Sequence, residues 1–238
     1  KSLRNVLGFY VDRKNGWLWA LDMGFVAGET ESPVGAQKLM VLDLKSGSTI
    51  KSIPLDGVAD RKASFLNDVV VDFATATARR VLDGARGLQI EPGVKVVAHG
   101  AEVWPGKPLQ IGINGIALSP NADTLYWTVT TGTHAHALPT AILREASATH
   151  PQIADRIEDL GSVGGNTDGL VTDSAGNLYI TDVTHNGIVK YDPKTGYFEI
   201  RGKTATRTLS YNTVKTFAQS MRLLATTKKD LLDKNDIA

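Results

Sequence analysis

The sequence of 238 residues contains no cysteine. Disulfide bonds, thiolate metal centres and a cysteine nucleophile are therefore excluded. The sequence also lacks a run of apolar residues long enough to predict a membrane-spanning helix. Lys and Arg total 26 against 25 for Asp and Glu, and the sequence has no prominent run of like charges. Nucleic acid is not an expected partner, because phosphate binding needs a concentrated basic face.

Several common catalytic signatures are missing as well. The sequence has no GxSxG elbow, no phosphate-binding P-loop, no HExxH and no dinucleotide fingerprint. No signal peptide is recognisable at the start, which is Lys1 and not an initiator Met. A processed or incomplete N-terminus is consistent with that start, and a removed export signal is compatible with it.

What the sequence does contain is a repeated hairpin. Residues 8–22, 115–127 and 169–182 each read as an apolar strand, a turn of Pro, Asn, Asp or Gly residues, and an aromatic-rich strand. A fourth copy opens at residues 69–72, but its second strand is not recognisable. Aromatic residues recur on the second strands, and this recurrence predicts packing between neighbouring repeats.

A second hairpin follows the first and last of these units. Residues 38–53 and 187–200 each contain two strands joined by an Asp-x-x-Ser/Thr-Gly turn. This turn predicts an Asx-type hydrogen bond and a glycine with positive φ. Two successive hairpins make one four-stranded antiparallel sheet, which is a propeller blade.

The spacing of the repeat defines the fold class. Its anchors Asp12, Asp72, Ser119 and Asp173 are 60, 47 and 54 residues apart. Blade repeats are typically about 40 to 50 residues long. We predict an all-β chain with four recognisable blades over residues 4–200, within a single β-propeller domain of residues 1–238. The alternative is a β-sandwich of irregular hairpins.

Two segments depart from the repeat. After Asp72, the sequence predicts that the first strand of a blade runs directly into its last strand, so the two middle strands are missing. At the C-terminal end, apolar residues follow helical spacing and predict an amphipathic helix over residues 213–226, with Asn212 as a possible N-cap. This helix belongs to a predicted helical tail, residues 212–233.

The repeat resembles a known family. The segments that carry the resemblance to the major royal jelly protein and Yellow family are Gly16–Gly24, Gln37–Leu44, Phe65–Asp72, Gly112–Pro120 and Thr167–Leu170. The resemblance implies a six-bladed propeller, usually secreted, so we expect a secreted or periplasmic protein. In architecture it is similar to the gluconolactonase and regucalcin group. The family form implies that the visible blades are the second to the fifth.

The same register singles out candidate site residues. The residue five positions before each anchor opens the innermost strand, and these residues are Leu7, Asn67, Asn114 and Asp168. Pseudo-rotational symmetry directs them towards one axis, and three of them carry the oxygen ligands that hard cations such as Ca²⁺ prefer. Each also belongs to an ordinary turn dipeptide, so turn formation is the competing interpretation.

The resemblance adds a specific role. In gluconolactonase-like proteins, two Asn and one Asp at this blade position bind a divalent metal, and Asn67, Asn114 and Asp168 match them. The Glu that completes that set has no counterpart in this sequence. The implied chemistry is polarisation of a lactone or ester carbonyl by Ca²⁺ or another divalent cation, with Asp168 also acting as the catalytic base.

Three further residues are weaker candidates for substrate binding. His134 and His136 are two positions apart and share a face if their segment is extended. That segment resembles a loop near the rim, so solvated loop histidines are the competing interpretation. Trp104 falls outside the repeat, at a position suited to the channel mouth.

Three functions are consistent with these residues, and all of them take a small-molecule ligand. The first is a metal-dependent hydrolase of small lactones or esters. The second is a secreted, non-catalytic propeller that holds a small ligand in its channel. The third is an isomerase or lyase of catechol-derived compounds, which the resemblance permits although no residue specifies it. The fold alone does not choose among them.

Overall fold

The computed structural model describes residues 2–26, 28–64, 66 and 78–203. The chain divides into two compact units, Lys1–Val81 and Leu82–Ala238. Each unit is built from antiparallel strands joined to their sequence neighbours. The predicted helical tail, residues 212–233, and the predicted ligand Asn67 lie outside the described residues.

The first unit contains one four-stranded sheet. Its strands are β1 (Val6–Asp12), β2 (Trp17–Asp22), β3 (Lys38–Asp43) and β4 (Thr49–Pro54). They lie side by side in chain order, each antiparallel to the next. This is the two-hairpin blade that the sequence predicts.

The second unit begins with short elements. A 3-10 helix spans Arg86–Leu88, and β5 (Val97–Ala98) pairs with β6 (Ala101–Glu102) in a two-stranded ribbon. These elements lie before the next four-stranded sheet.

The second four-stranded sheet contains the histidine segment. Its strands are β7 (Ile113–Leu118), β8 (Thr124–Val129), β9 (His134–Pro139) and β10 (Glu158–Ser162), again in chain order. Two short helices, α1 (Thr140–Arg144) and α2 (His150–Ala154), connect β9 to β10. The outer hairpin of this blade escapes the sequence pattern because helices replace the Asp-x-x-Ser/Thr-Gly turn.

The third four-stranded sheet completes the described part of the chain. Its strands are β11 (Leu170–Thr172), β12 (Leu178–Asp182), β13 (Gly187–Asp192) and β14 (Tyr197–Lys203). They too follow chain order. Three four-stranded antiparallel sheets of this form are propeller blades.

Equivalent hydrogen bonds at equivalent positions confirm the repeat. Asp12 accepts from the N–H groups of Lys14 and Asn15, and Asp173 accepts from those of Ala175 and Asn177. These carboxylates fix the turn inside each first hairpin, as Asx turns do.

The turns of the second hairpins also match the prediction. The N–H of Gly47 donates to the carbonyl of Asp43, and the N–H of Gly196 donates to the carbonyl of Asp192, each at 2.8 Å. Gly47 has φ of 69° and Gly196 has φ of 70°. Both turns therefore need the left-handed backbone that glycine adopts without strain.

A shared core joins the second and third blades. Buried side chains from both sheets form one cluster: Tyr126, Ala135, Ala137, Val163, Leu170, Leu178, Ile180 and Tyr191. The second-strand aromatic Tyr126 thus packs between blades, as the repeat predicts. Burial of this apolar surface is the main force that holds the two sheets face to face.

Candidate functional site

Two of the predicted axial residues lie in direct contact. Asn114 is part of β7, at an irregularity in its pairing with β8, and Asp168 lies two residues before β11. The Nδ2 of Asn114 donates a hydrogen bond of 2.7 Å to Oδ1 of Asp168. The two residues are only 7% and 5% exposed. The register of the repeat therefore brings a carboxylate and an amide together in a largely buried place.

A glycine makes this contact possible. A Cβ on Gly115 would lie 2.9 Å from the carbonyl oxygen of Asp168 and 2.9 Å from Cα of Gly169. Such distances are shorter than a methyl group tolerates, so only glycine lets β7 approach the start of β11 so closely. The hydroxyl of Thr172 also donates to the carbonyl of Leu118 at 2.6 Å and links the same two strands further along.

The backbone of Asp168 is held from the opposite side. The Oγ1 of Thr181 accepts hydrogen bonds of 3.0 Å from the N–H groups of Asp168 and Gly169. The same hydroxyl donates to the carbonyl of Gly169 at 3.1 Å. Thr181 is itself buried on β12. The carboxylate of Asp168 is thus carried by a backbone that β12 fixes in position.

The donor set at this point is compatible with a hard cation. Carboxylate and amide oxygens are the ligands that Ca²⁺ takes in proteins. Asn114 presents its nitrogen to Asp168 here, and a half-turn of its terminal torsion would present the oxygen. Among the described residues, no group of three or more His, Asp or Glu side chains is arranged to hold a metal ion. A metal at this place would therefore depend on amide ligands beside the single carboxylate.

The two histidines lie in an extended segment, which is one of the two alternatives that the sequence leaves open. His134 and His136 lie on strand β9 and not in a loop. His136 is only 8% exposed and stacks on Trp127 of β8, with ring centroids 5.6 Å apart. The Nδ1 of His134 lies 2.9 Å from both carboxylate oxygens of Asp159 on β10. The loop interpretation is wrong for both residues, because the loop that contains Gly132 ends at Thr133 and β9 begins at His134.

Burial and charge set the protonation of this cluster. Burial lowers the pKa of His136, and the neighbouring His134 lowers it further, against the opposing effects of Asp159 and Glu91. Burial raises the pKa of the Asp159 carboxyl, but hydrogen bonds from the Gly161 N–H and from His134 hold it below its usual value. At neutral pH, His136 is therefore uncharged beside an ionised Asp159.

A cavity of about 970 Å³ opens beside these histidines. Its lining combines carboxylates, imidazoles and one guanidinium with aliphatic groups: Arg86, Gly87, Gln89, Ile90, Glu91, Pro92, His134, His136, Ala154, Asp155, Ile157 and Asp159. Neither Asn114 nor Asp168 is among these residues. The cavity and the buried Asn–Asp pair are therefore separate features of the second unit.

Glu91 attaches one wall of this cavity to the blade. Its Oε1 accepts from the N–H groups of Thr133 and His134, and its Oε2 accepts from the hydroxyl of Thr133. The N–H of Glu91 donates to the carbonyl of Thr131. The sequence analysis missed Glu91 and Asp159, because no motif links them to the histidines and only the fold brings them together.

Trp104 does not line this cavity. It follows β6 with φ of 54° and is 65% exposed. Its predicted contact with substrate stays a prediction.

Blades of this form, with a buried amide–carboxylate pair where two of them meet, define the chain as a β-propeller protein. The chain matches the major royal jelly protein family over residues 5–82 and 105–225. It belongs to that family, as its repeat predicts. Residues 83–104, which include the cavity wall from Arg86 to Pro92, fall between the two matched parts.

Solved propeller structures are similar to the chain at low identity. A gluconolactonase from Xanthomonas campestris is 16% identical, with a TM-score of 0.38, over 86% of this chain and 49% of that one. Regucalcin, a calcium-binding protein from Agrobacterium tumefaciens, is 16% identical, with a TM-score of 0.33, over 81% of this chain and 72% of that one. A streptogramin B lyase is 18% identical, with a TM-score of 0.46, over 85% of this chain and 55% of that one.

The chain spans about half the length of the gluconolactonase and of the lyase. No curated protein matches it at a significant level. The described residues contain no helix with the length and hydropathy that crossing a membrane requires.

Proposed function

We propose that this protein is a divalent-metal-dependent hydrolase of small lactones or esters and that Asp168 and Asn114 are at its reacting centre. The observation that carries the proposal is the 2.7 Å contact between these two largely buried side chains, where the first strands of two blades meet. Asn67, which shares their place in the repeat, is proposed as the third ligand. The proposal includes the six-bladed form, with this centre in its central channel, and a secreted or periplasmic location.

Asp168 has two roles in this proposal. Its carboxylate binds the cation, and it takes the proton of the attacking water as general base. Asn114 supplies a neutral oxygen ligand when its amide turns its oxygen towards the cation, and it donates to the Asp168 carboxylate when its nitrogen faces that group. A bound Ca²⁺ or similar ion would supply Lewis acidity towards the lactone or ester carbonyl. Burial favours all of these interactions, because charges interact more strongly away from water.

The test compares cation binding and turnover in three proteins. We expect the wild-type protein to bind Ca²⁺, measured by calorimetry, and to hydrolyse a panel of small lactones in a pH-stat assay. Asp168→Asn keeps the shape of the side chain but removes its charge, so we expect at least tenfold weaker binding and loss of turnover. Asp123→Asn is the matched control, because Asp123 is an exposed carboxylate in the β7–β8 turn.

Two outcomes would contradict the proposal. Lactone hydrolysis that persists undiminished in Asp168→Asn would remove Asp168 as the base. Absence of cation binding in the folded wild-type protein would remove the metal.

A second candidate is the non-catalytic binding protein. It is favoured by the hydrogen bond from Asn114 to Asp168, because that bond already satisfies one carboxylate oxygen without a cation. A ligand that stays bound unchanged in the presence of EDTA would favour this candidate over the hydrolase.

A further inference from the structure

The cavity beside His136 is a candidate for a second binding site, independent of the Asn114–Asp168 centre. Its volume of about 970 Å³ is within the range of small-molecule sites, roughly 300–1,000 Å³. Part of its wall belongs to residues 83–104, which lie outside the match to the family. The wall from Arg86 to Pro92 therefore lies outside the family match, whereas His136, Asp155 and Asp159 lie within it.

An imidazole with unused hydrogen-bonding capacity lines this cavity. His136 is 8% exposed, and its Nδ1 has no hydrogen-bond partner among the described residues. That nitrogen is almost fully covered: a Cβ on Gly87 would lie 3.5 Å from it, at ordinary contact distance. Buried polar groups are normally paired, so a ligand that enters beside Gly87 would supply the missing partner.

Surrounding groups hold this imidazole in place. Trp127 stacks on its face, and the indole Nε1 donates at 2.7 Å to the carbonyl of Gly87. His136 is also paired across the sheet with Asp159, which binds His134. Because the ring is already fixed between two strands, little side-chain conformational entropy is lost when a ligand binds to it.

The polar lining selects the chemistry of the ligand. Three carboxylates line the cavity, those of Glu91, Asp155 and Asp159, against one guanidinium, that of Arg86. An anion is disfavoured there by like charge. A neutral imidazole offers one donor and one acceptor, and a carboxylate accepts only. A hydroxyl group both donates and accepts, so it suits the imidazole in either tautomer and the carboxylates as well.

The apolar lining suits the same ligand. Ile90, Pro92, Ala154 and Ile157 lie among the polar groups. A pyranose ring has C–H faces for such aliphatic surface and hydroxyls around its edge. The geometry points to this cavity as a binding site for an uncharged sugar or polyol, with His136, Asp155 and Asp159 as its hydrogen-bonding groups.

Saturation-transfer NMR with methyl β-D-glucopyranoside tests this inference. The buffer contains EDTA, so the result does not depend on the proposed metal centre. We expect saturable transfer to the glucoside in the wild-type protein. Asp155→Leu removes an exposed acceptor from the cavity without touching the buried ring, and we expect about tenfold weaker binding. Asp123→Asn, which lies outside the cavity, should bind as the wild type does.

A second variant keeps the test decisive. His136→Phe preserves an aromatic ring beside Trp127 but removes both nitrogens, and we expect transfer to fall about tenfold or more. If that variant does not fold, Asp155→Leu carries the test alone. Equal transfer in Asp155→Leu and wild type, or no transfer in wild type, would overturn the inference. Stronger binding of propylammonium or acetate than of the glucoside would overturn the assigned ligand class.

Discussion

Gly115 lies so close to Asp168 that any side chain at position 115 would meet the Asp168 carbonyl oxygen at 2.9 Å. This close approach sets the distance between β7 and β11, and so the contact of Asn114 with Asp168. The glycine is thus a positioning residue for the proposed centre although it carries no functional group.

We expect Gly115→Ala to separate the two strands. Overpacking of this kind costs about 1–3 kcal/mol of unfolding free energy. The separation of the strands should also lengthen the Asn114–Asp168 contact. We therefore expect Ca²⁺ affinity to fall even under conditions where the variant is fully folded. Chemical denaturation and calorimetry on the same samples measure both quantities.

Gly176→Ala is the control for this variant. Gly176 has φ of 92° in an exposed turn with open space around it. Its substitution costs about 1–2 kcal/mol through backbone strain alone. Unchanged Ca²⁺ affinity in Gly176→Ala and a loss in Gly115→Ala would support the role of Gly115, and equal effects in both would contradict it.

The first blade depends on a buried ion pair. The Nζ of Lys38 lies 2.8 Å from Oδ2 of Asp22, and both side chains are almost fully buried. Burial raises the pKa of the Asp22 carboxyl, but hydrogen bonds from Lys38 and from the N–H groups of Asn5, Arg4 and Gly24 outweigh it and hold the pKa below its usual value. The carboxylate is therefore charged in the folded protein.

We expect Lys38→Met to destabilise the protein by about 3–5 kcal/mol, because it leaves this buried charge without its cation. Urea denaturation at neutral pH measures the loss. Lys62→Met is the matched control: Lys62 is an exposed partner of Glu31, and loss of such a pair costs about 0–1 kcal/mol. Similar losses in the two variants would contradict the importance of the buried pair.

The depressed pKa of His136 makes stability fall in acid. The unfolded chain takes up a proton on this histidine near its ordinary pKa of about 6.5, whereas the folded protein takes it up only at lower pH. Between those two values the unfolded state binds more protons, so the free energy of unfolding decreases as pH falls. The full contribution of His136 to stability is present above pH 6.5 and is lost through this window.

We expect His136→Phe to show a smaller loss of stability than the wild type between pH 8 and pH 5.5. Thermal denaturation across that range measures the difference. His99→Asn is the control, since His99 is exposed and its left-handed φ of 55° suits asparagine. If His136→Phe and the wild type lose stability in parallel, His136 is not the group responsible.

Glu91 holds the wall of the cavity against the blade. We expect Glu91→Ala to release its three hydrogen bonds to Thr133 and His134 and to increase amide exchange at Glu91 and Val94, whose N–H groups are bonded within this region. Hydrogen-exchange mass spectrometry checks this. Glu158→Ala, an exposed position on β10, should leave those amides protected.

The sequence by itself determined the first and the third of the described blades. Strand alternation, the carboxylates Asp12 and Asp173 and the turn glycines Gly47 and Gly196 act within a few residues of their own position, so local chemistry specifies them. The shared register also places Asn114 and Asp168 at equivalent positions of two repeats.

Only the tertiary structure decided what surrounds those positions. Gly115 reads as an ordinary strand residue until β11 lies against it. The sequence leaves His134 and His136 between a loop and an extended segment, because the helices at 140–144 and 150–154 hide the second hairpin of their blade. The cavity joins Glu91, His136 and Asp159 from three separate segments. Contacts across such distances in the chain depend on how strands pack, and no local pattern of residues carries that information.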